Sequence, residues 1–170
     1  TESFSLATRS FQPHNGERID ANGEAVRRKG LAPDLEAVLL VSLMEAADRV
    51  DSTTGVQMAY LKSWARRAAN DLELRVPAVI PRARHGKGQA TALDALEAAG
   101  RLEGDVAYID PPYNQHSYLG NYHILESLVR WDKPTVYGIA CKRADCRTRK
   151  SPFNSRTSAL GSFERLIESV

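Results

Sequence analysis

The residues with the clearest chemical potential are Asp110, Pro111, Pro112 and Tyr113, which directly follow the segment 105–109. That segment is mostly a continuous apolar run, typical of a central strand in a covered parallel sheet, so we predict a strand there. Ligands of α/β sheets bind at the carboxyl ends of the strands, which places the four residues at a candidate site. The prolines fix their own backbone angles and supply no amide donor, so the loop is stiff and leaves carbonyl acceptors free.

The loop carries the acceptors that an exocyclic amine requires. The two hydrogens of such an amine need two acceptors, and the Asp110 carboxylate and the Pro111 carbonyl can each take one. The accepted bonds raise the electron density on nitrogen, which helps its lone pair attack an electrophilic methyl group. The Tyr113 ring can stack on a planar base, a contact worth about 1–3 kcal/mol. Because a base inside a duplex cannot be reached, the pattern predicts flipping of the base into the pocket.

Amide and aromatic side chains crowd the segment after the loop, which a plain turn with an aspartate cap and two prolines would not require. We predict substrate contacts for them and regard the histidine as a hydrogen-bonding helix residue rather than a general base. These residues are Asn114, Tyr118, Asn121, Tyr122 and His123.

Hydrophobic periodicity predicts the elements that must position the loop. We predict an irregular segment over 1–32 with at most one short helix, a helical hairpin over 33–73, and an α/β segment over 74–170 that carries the motif. The first hairpin helix runs from Pro33 to about Val50, and the second follows the turn at Ser52–Gly55. The α/β segment comprises an edge strand or connector at 74–80 and helices at 91–99, 121–131 and 157–169.

Composition indicates a globular protein, with 42% hydrophobic and 26% charged residues and a net charge of +2. So small a net charge does not by itself argue for a polyanionic partner. The two cysteines, Cys141 and Cys146, are close together rather than spread as a disulfide framework, which favours a reducing, cytoplasmic setting. The spacing of the cysteines relative to His116 or His123 is poor for zinc, so we predict no metal. We expect neither a membrane span nor a secretion signal.

A run of basic residues follows the helix predicted at 121–131. Its high density could neutralise DNA or RNA phosphates, although most charged runs are simply solvated, and both interpretations stay open. The run consists of Lys142, Arg143, Arg147, Arg149 and Lys150. A weaker basic patch at Arg82, Arg84 and Lys87 favours the solvated interpretation.

The segment Tyr108–Asn114, with Tyr118 and Asn121–His123 after it, resembles the catalytic segment of adenine-specific DNA methyltransferases of the Dam and FokI-methylase type. Further similarity lies before the motif, at Leu43–Asp48, Thr53–Val56 and Tyr60–Lys62, and after it, at Ser151–Phe153, Ala159 and Phe163. The resemblance therefore covers most of the chain from Phe11 to Val170.

The resemblance implies part of a doubly wound α/β sheet that uses S-adenosylmethionine, with the helical insertion helping to recognise DNA. It implies that Asp110 and Pro111 bind the target amine, that Tyr113 stacks on the flipped base, and that Asp110 also lies near the cofactor. Lys142 and Arg143 are candidate phosphate contacts. DNA is the implied partner and a cognate restriction endonuclease a candidate one, whereas the oligomeric state is not readable.

The family's glycine-rich cofactor turn has no match between Thr1 and Gly104. We therefore expect that turn to precede Thr1, so that the chain holds the base-binding half of an active site and has doubtful activity in isolation. Two alternatives stay open. The first is methylation of RNA adenine or of a protein glutamine amide, and the second is a non-catalytic nucleic-acid-binding fragment.

Overall fold

The computed structural model describes residues 9–58, 61–112 and 114–170. The elements are α1 (Pro13–Arg28), α2 (Pro33–Val50), α3 (Ala95–Ala99), α4 (Tyr118–Asn121), α5 (His123–Arg130), β1 (Val136–Tyr137), β2 (Lys142–Arg143) and α6 (Ala159–Glu168). Short 3₁₀ turns lie at Arg66–Ala69, Ala144–Arg147 and Pro152–Asn154. The chain forms two compact units. The first contains residues up to Ala78 and Tyr118–Arg149, and the second contains Val79–Ser117 and Lys150–Val170.

Helices α1 and α2 pack against each other and carry much of the hydrophobic core of the first unit. Each helix begins with a proline, which lacks only an amide that would have no partner inside the helix. The α2 bounds confirm the helix predicted from Pro33 to Val50. The core consists of Phe11, Ile19, Leu43, Ala46, Ala47, Val50, Leu72, Ile124 and Leu128.

Helix α1 corrects the prediction of a largely irregular segment over 1–32, since it is 16 residues long. Asparagine is a residue type typical of turns, but Asn15 is fully buried in this helix. Its Nδ2 donates to the carbonyls of Ala68 (3.2 Å) and Asn70 (2.8 Å), and its Oδ1 accepts from the amide of Leu72 (2.9 Å). Asn15 therefore ties α1 to the chain that follows α2.

Gly23, the second apparent turn signal in α1, makes room for an aromatic ring. A Cβ atom at this position would lie 2.2 Å from the Trp131 ring, so only glycine allows the ring to pack there. The indole nitrogen of Trp131 donates to Glu24 at 3.0 Å. Trp131, in a left-handed conformation at the end of α5, is thereby fastened to α1.

The prediction of a second hairpin helix after Gly55 is wrong for the described part of that stretch. The chain there is irregular apart from the 3₁₀ turn Arg66–Ala69. The Arg67 guanidinium donates to the Asp51 carboxylate and to the Thr53 carbonyl, which fastens this turn to the end of α2. Two residues of the predicted helix, Ala59 and Tyr60, lie outside the described residues.

The predicted strand at 105–109 and the edge strand or connector at 74–80 form no regular secondary structure. Among the described residues the only sheet is the antiparallel pair of β1 and β2, with Val136 opposite Arg143. Val106 and Tyr108 are each 89% exposed, so the expected burial of a central strand is absent. A strand requires a partner backbone, and no described segment supplies one. The mixture of helices and a small sheet is compatible with an α/β fold, but the doubly wound sheet is not confirmed.

The later helices agree better with the sequence. Helices α5 and α6 lie within the predicted ranges 121–131 and 157–169. Helix α3 starts at Ala95, later than predicted, because the Asp94 carboxylate caps it by accepting from the Leu96 amide at 3.0 Å. Across the described ranges, no helix combines the length and the apolar character needed to cross a membrane.

Replacing Asn15 with alanine should destabilise the first unit by about 2–3 kcal/mol, since each buried group left without a partner costs about 1–3 kcal/mol. The matched control is Asn22→Ala on the same helix, where the amide donates only to the Arg18 carbonyl one turn earlier. Urea unfolding followed by circular dichroism measures both variants. Equal stabilities for the two variants would contradict the structural role of Asn15.

Candidate active site

A cavity of about 630 Å³ lies within the second unit. Asp110, Pro111 and Pro112 line it, together with apolar side chains from in and around α3, from residues 106–109 and from α6. These apolar residues include Leu93, Ala98, Leu102, Ile109, Phe153 and Leu166. The volume falls within the range of small-molecule sites, about 300–1,000 Å³. Three of the four predicted motif residues therefore border a space large enough for a nucleobase.

The motif leaves its hydrogen-bond acceptors unused. Asp110 is exposed, while Pro111 and Pro112 are half-buried. Within the described ranges, no donor reaches the Asp110 carboxylate or the Pro111 carbonyl. Both acceptors are therefore open to a ligand that brings two N–H groups. Tyr113, the predicted stacking residue, lies outside the described residues.

Asn154 anchors the chain just after the motif, although nothing in the motif pattern points to it. Its Nδ2 donates to the carbonyls of Asn114 (2.8 Å) and His116 (3.2 Å). The side-chain oxygen of Asn114 accepts from the His116 amide at 2.8 Å, so this predicted substrate contact is engaged in a local turn. The only available signal is the Ser151-Pro-Phe-Asn sequence, in which the Ser151 hydroxyl caps the 3₁₀ turn by accepting from the Phe153 amide.

Tyr118 and Tyr122, both predicted substrate contacts, form an exposed aromatic pair in the first unit. Their ring centroids are 6.5 Å apart and their planes differ by 17°. The side chains are 55% and 39% exposed, respectively. Asn121 is half-buried, and its carbonyl accepts from the Gln57 amide at 2.6 Å. The stacked tyrosines present apolar faces suited to a base, and their contact with substrate stays a prediction.

His123 corrects the sequence-based prediction, because it is fully buried and cannot touch a substrate in this structure. Its Nε2 lies 3.0 Å from the Gln57 carbonyl, so Nε2 carries the proton in the neutral ring. Burial lowers the pKa of His123, and the hydrogen bond to Gln57 partly opposes this shift. Its Nδ1 is the only buried side-chain nitrogen or oxygen in the described chain without a hydrogen-bond partner.

Gln57 holds the start of α5 through both its backbone and its side chain. Its side-chain oxygen accepts from the amides of Ile124 (3.0 Å) and Leu125 (3.3 Å). The first amides of a helix have no partner inside it, so this side chain caps α5 from a distant part of the sequence. Sequence patterns cannot reveal this role, because the capping residue lies 67 positions before Ile124.

Arg143, a predicted phosphate contact, is also corrected by the structure. Its side chain is buried, and its two terminal nitrogens each donate to the Asp132 carboxylate at 2.7 Å. It further donates to Asp145 at 3.1 Å and to the Ser127 hydroxyl at 3.1 Å. Hydrogen bonds from Arg143 lower the pKa of both carboxyls. A guanidinium so enclosed and neutralised is a structural group and has no donor to offer a phosphate.

The rest of the basic run is divided between paired and unpaired side chains. Arg149 pairs with Glu126 (3.2 Å) and Asp145 (3.4 Å), while the Arg147 guanidinium lies 3.9 Å from the centre of the Tyr137 ring. Lys142 is half-buried and forms no ion pair with the residues that the structure describes. Of the two predicted phosphate contacts, only Lys142 keeps an unpaired charge.

The absence of a metal centre stays a prediction. Across residues 9–58, 61–112 and 114–170, no three His, Cys, Asp or Glu side chains gather where they could bind a metal ion. Cys141 is half-buried and Cys146 is buried, and both are thiols.

Comparison with protein families decides the identity of the chain. A model of the D12 class of N6 adenine-specific DNA methyltransferases matches residues 4–170. The chain belongs to this family. The match covers the loop at Asp110 and both anchoring residues, Gln57 and Asn154.

Relatives of this D12-class chain carry the names of modification methylases or type II methyltransferases. It is 35% identical to modification methylase StsI of Streptococcus sanguinis over 161 residues, which are 92% of the chain and 24% of that protein. It is 34% identical to type II methyltransferase M.FokI of Planomicrobium okeanokoites, with 93% and 25% covered, and 32% identical to M.NlaIII of Neisseria lactamica, with 92% and 47% covered. The chain thus spans about a quarter to a half of the curated relatives it matches. No solved structure matches it significantly.

The buried neutral state of His123 should make the D12-class chain less stable in acid. The unfolded chain takes up a proton near the ordinary histidine pKa of about 6.5, whereas the folded chain resists it because its pKa is lower. The contribution of His123 is therefore complete above about pH 6.5 and declines by up to about 1.4 kcal/mol per pH unit below it.

Urea unfolding at about pH 7.5 and about pH 5.5 tests this expectation. The variant His123→Gln should lose part of the pH dependence, while His116→Gln, at an exposed histidine, should keep all of it. If His123→Gln and the wild type respond identically to acid, His123 is not the group that titrates.

Proposed function

We propose that the chain forms the base-holding part of a DNA methyltransferase that acts on the 6-amino group of adenine. The observation that carries this proposal is the pair of unused acceptors, the Asp110 carboxylate and the Pro111 carbonyl, beside a cavity of about 630 Å³ in a D12-class chain. An amino group on a flipped adenine brings the two donors that these acceptors lack.

The acceptors orient the amine and increase its reactivity. Hydrogen bonds accepted from both N–H groups localise electron density on nitrogen, which is otherwise drawn into the adenine ring. A methyl donor bound beside the amine would supply the methyl group, whose bond to the donor would break, with its electron pair left on the donor, as the bond to nitrogen forms. The proton that nitrogen must lose passes to Asp110 or to water. Positioning supplies most of the acceleration, since no covalent intermediate with the protein is needed.

Membership of a methyltransferase family implies S-adenosylmethionine, which when bound supplies an electrophilic methyl group on a cationic sulfur. The residues present fit this group in part. Asp110 places a carboxylate at the cavity, which suits a nearby positive charge, and Asp94 and Glu103 also line that cavity. The described residues contain no glycine-rich turn between a strand and a helix. The proposal therefore assigns only Asp110 to the cofactor side of the site.

The biological setting belongs to the same proposal. The relatives named above are modification methylases or type II methyltransferases, so we propose a role in restriction and modification, with a cognate endonuclease as a functional partner. A cytoplasmic setting agrees with both cysteines being thiols. The region 33–73 stays a proposed DNA-recognition region, in which Trp64 and Lys62 are exposed.

Asp110→Ala in the full-length protein should lower kcat for DNA methylation by about a hundredfold or more, the usual effect of removing one preorganised hydrogen-bonding group. The matched control is Asp105→Ala, which removes an exposed carboxylate from the same segment. Transfer of radiolabelled methyl groups to unmethylated DNA measures activity, and a gel-shift titration confirms that DNA binding survives.

RNA and protein substrates are assayed beside DNA to separate the proposal from its alternatives. Labelling of RNA or protein in preference to DNA would overturn the substrate assignment. Persistent DNA methylation by Asp110→Ala would overturn the role of the motif. Binding of DNA without methyl transfer by the wild type would favour a non-catalytic fragment.

Tyr113 is proposed to hold the flipped base by stacking, a role that depends on its ring rather than on its hydroxyl. Tyr113→Phe should therefore keep near wild-type activity, whereas Tyr113→Ala should lose stacking worth about 1–3 kcal/mol, or roughly 5- to 150-fold in kcat/KM. Fluorescence of 2-aminopurine at the target position reports base flipping directly. A strongly impaired Tyr113→Phe with an active Tyr113→Ala would be the opposite of what stacking requires.

A further inference from the structure

We propose that the turn at residues 82–87, called here the basic turn, contacts the phosphate backbone of the substrate DNA. This inference rests on the DNA substrate proposed above and adds a surface that the sequence alone marks as merely solvated. The sequence favours the run from Lys142 to Lys150 as the stronger phosphate-binding candidate, but in the structure Arg143 and Arg149 of that run are paired with carboxylates.

The basic turn has a defined backbone conformation. The Gly86 amide donates to the Ala83 carbonyl at 3.0 Å, and the two residues form an antiparallel bridge. Gly86 has a φ of +116°, which side chains rarely adopt, and no atom lies close enough to crowd a Cβ there. Glycine is therefore required for the shape of the turn rather than for space. Arg84 and His85 occupy the two central positions, and both are exposed.

The two arginines of the basic turn, Arg82 and Arg84, are not neutralised by neighbouring carboxylates in the part of the chain that the structure describes. The stretch 79–93 contains three arginine or lysine residues and no aspartate or glutamate. Arg82 and Arg84 are exposed and form no ion pair with any described residue. By contrast, Arg143 and Arg149 in the basic run are held by Asp132, Asp145 and Glu126. Their positive charge is already paired inside the protein, whereas the charges of Arg82 and Arg84 face solvent.

The basic turn also belongs to the compact unit that contains the cavity lined by Asp110. Contacts to phosphates fix the register and orientation of a protein on a duplex without reading its sequence. Exposed arginines are well suited to this task, because the guanidinium offers several donors in a plane. The proposed function of the basic turn is therefore to hold the duplex, while the cavity receives the base.

The test is the double variant Arg82→Ala/Arg84→Ala in the full-length protein, compared with Arg101→Ala/Arg165→Ala. The control pair removes the same charge from exposed arginines of the same unit. Binding to a fluorescein-labelled duplex of random sequence is measured over a range of salt concentrations. Methylation of unmethylated DNA gives kcat and KM.

Two lost phosphate contacts should reduce the slope of log K against log salt by about 1.8, since each contact contributes about 0.9. Affinity near 0.1 M salt should fall by roughly 10- to 60-fold, because a contact with that slope is worth up to about eightfold there. KM for DNA should rise with kcat at saturating DNA unchanged, and the control pair should leave the slope as in the wild type.

If Arg82→Ala/Arg84→Ala keeps the wild-type affinity and salt slope while the wild type methylates DNA, the role of the basic turn is overturned and the proposed function stands. An equal loss in the control pair would also overturn it, because the effect would then follow net charge. If the wild type neither binds nor methylates DNA, both the basic turn and the proposed function fail.

Discussion

Hydrogen bonds of Gln57 join two parts of the first unit that are far apart in sequence. Its backbone and side chain form four hydrogen bonds, to Asn121, His123, Ile124 and Leu125. Residues before and after the motif-bearing segment 79–117 are thereby fixed within one unit. The segment leaves that unit at Ala78 and returns to it at Tyr118. Both ends of segment 79–117 are thus restrained, although the motif within that segment belongs to the second unit.

A helix could be predicted from the sequence where the spacing of its apolar residues alone determines its position. Helices α2 and α5 each bury an apolar stripe, and the positions of α2, α5 and α6 follow from the periodicity, although α6 buries only Leu166 of its apolar residues. Helix α1 was missed because Asn15 and Gly23 resemble turn residues, yet one satisfies three distant backbone groups and the other makes room for Trp131. The prediction of a strand at 105–109 was wrong for the converse reason. A strand depends on a second backbone, which the residues of the strand cannot specify.

In the candidate site, too, residues with local properties could be predicted, and residues that depend on distant partners could not. Asp110, Pro111 and Pro112 were predictable because proline geometry and carbonyl acceptors are local properties, and these residues do line the cavity. Arg143 and His123 were not, because a sequence counts charges and rings without revealing their partners. Arg143 is enclosed by two carboxylates, and His123 is buried against Gln57. Asn154 and Gln57 were missed because both act through hydrogen bonds to segments distant in the chain.

The exposure of Asp110 indicates what the substrate itself must contribute. A carboxylate in contact with water gains only about 1.5–3 kcal/mol net from a hydrogen bond, because it gives up a bond to water in exchange. The same bond strengthens once water is excluded. Since the motif lines a mostly apolar cavity, the proposed function requires that an adenine entering it displace water from both acceptors. The base would then complete the dry environment in which its own amine is activated, which ties reactivity at this site to full flipping of the base.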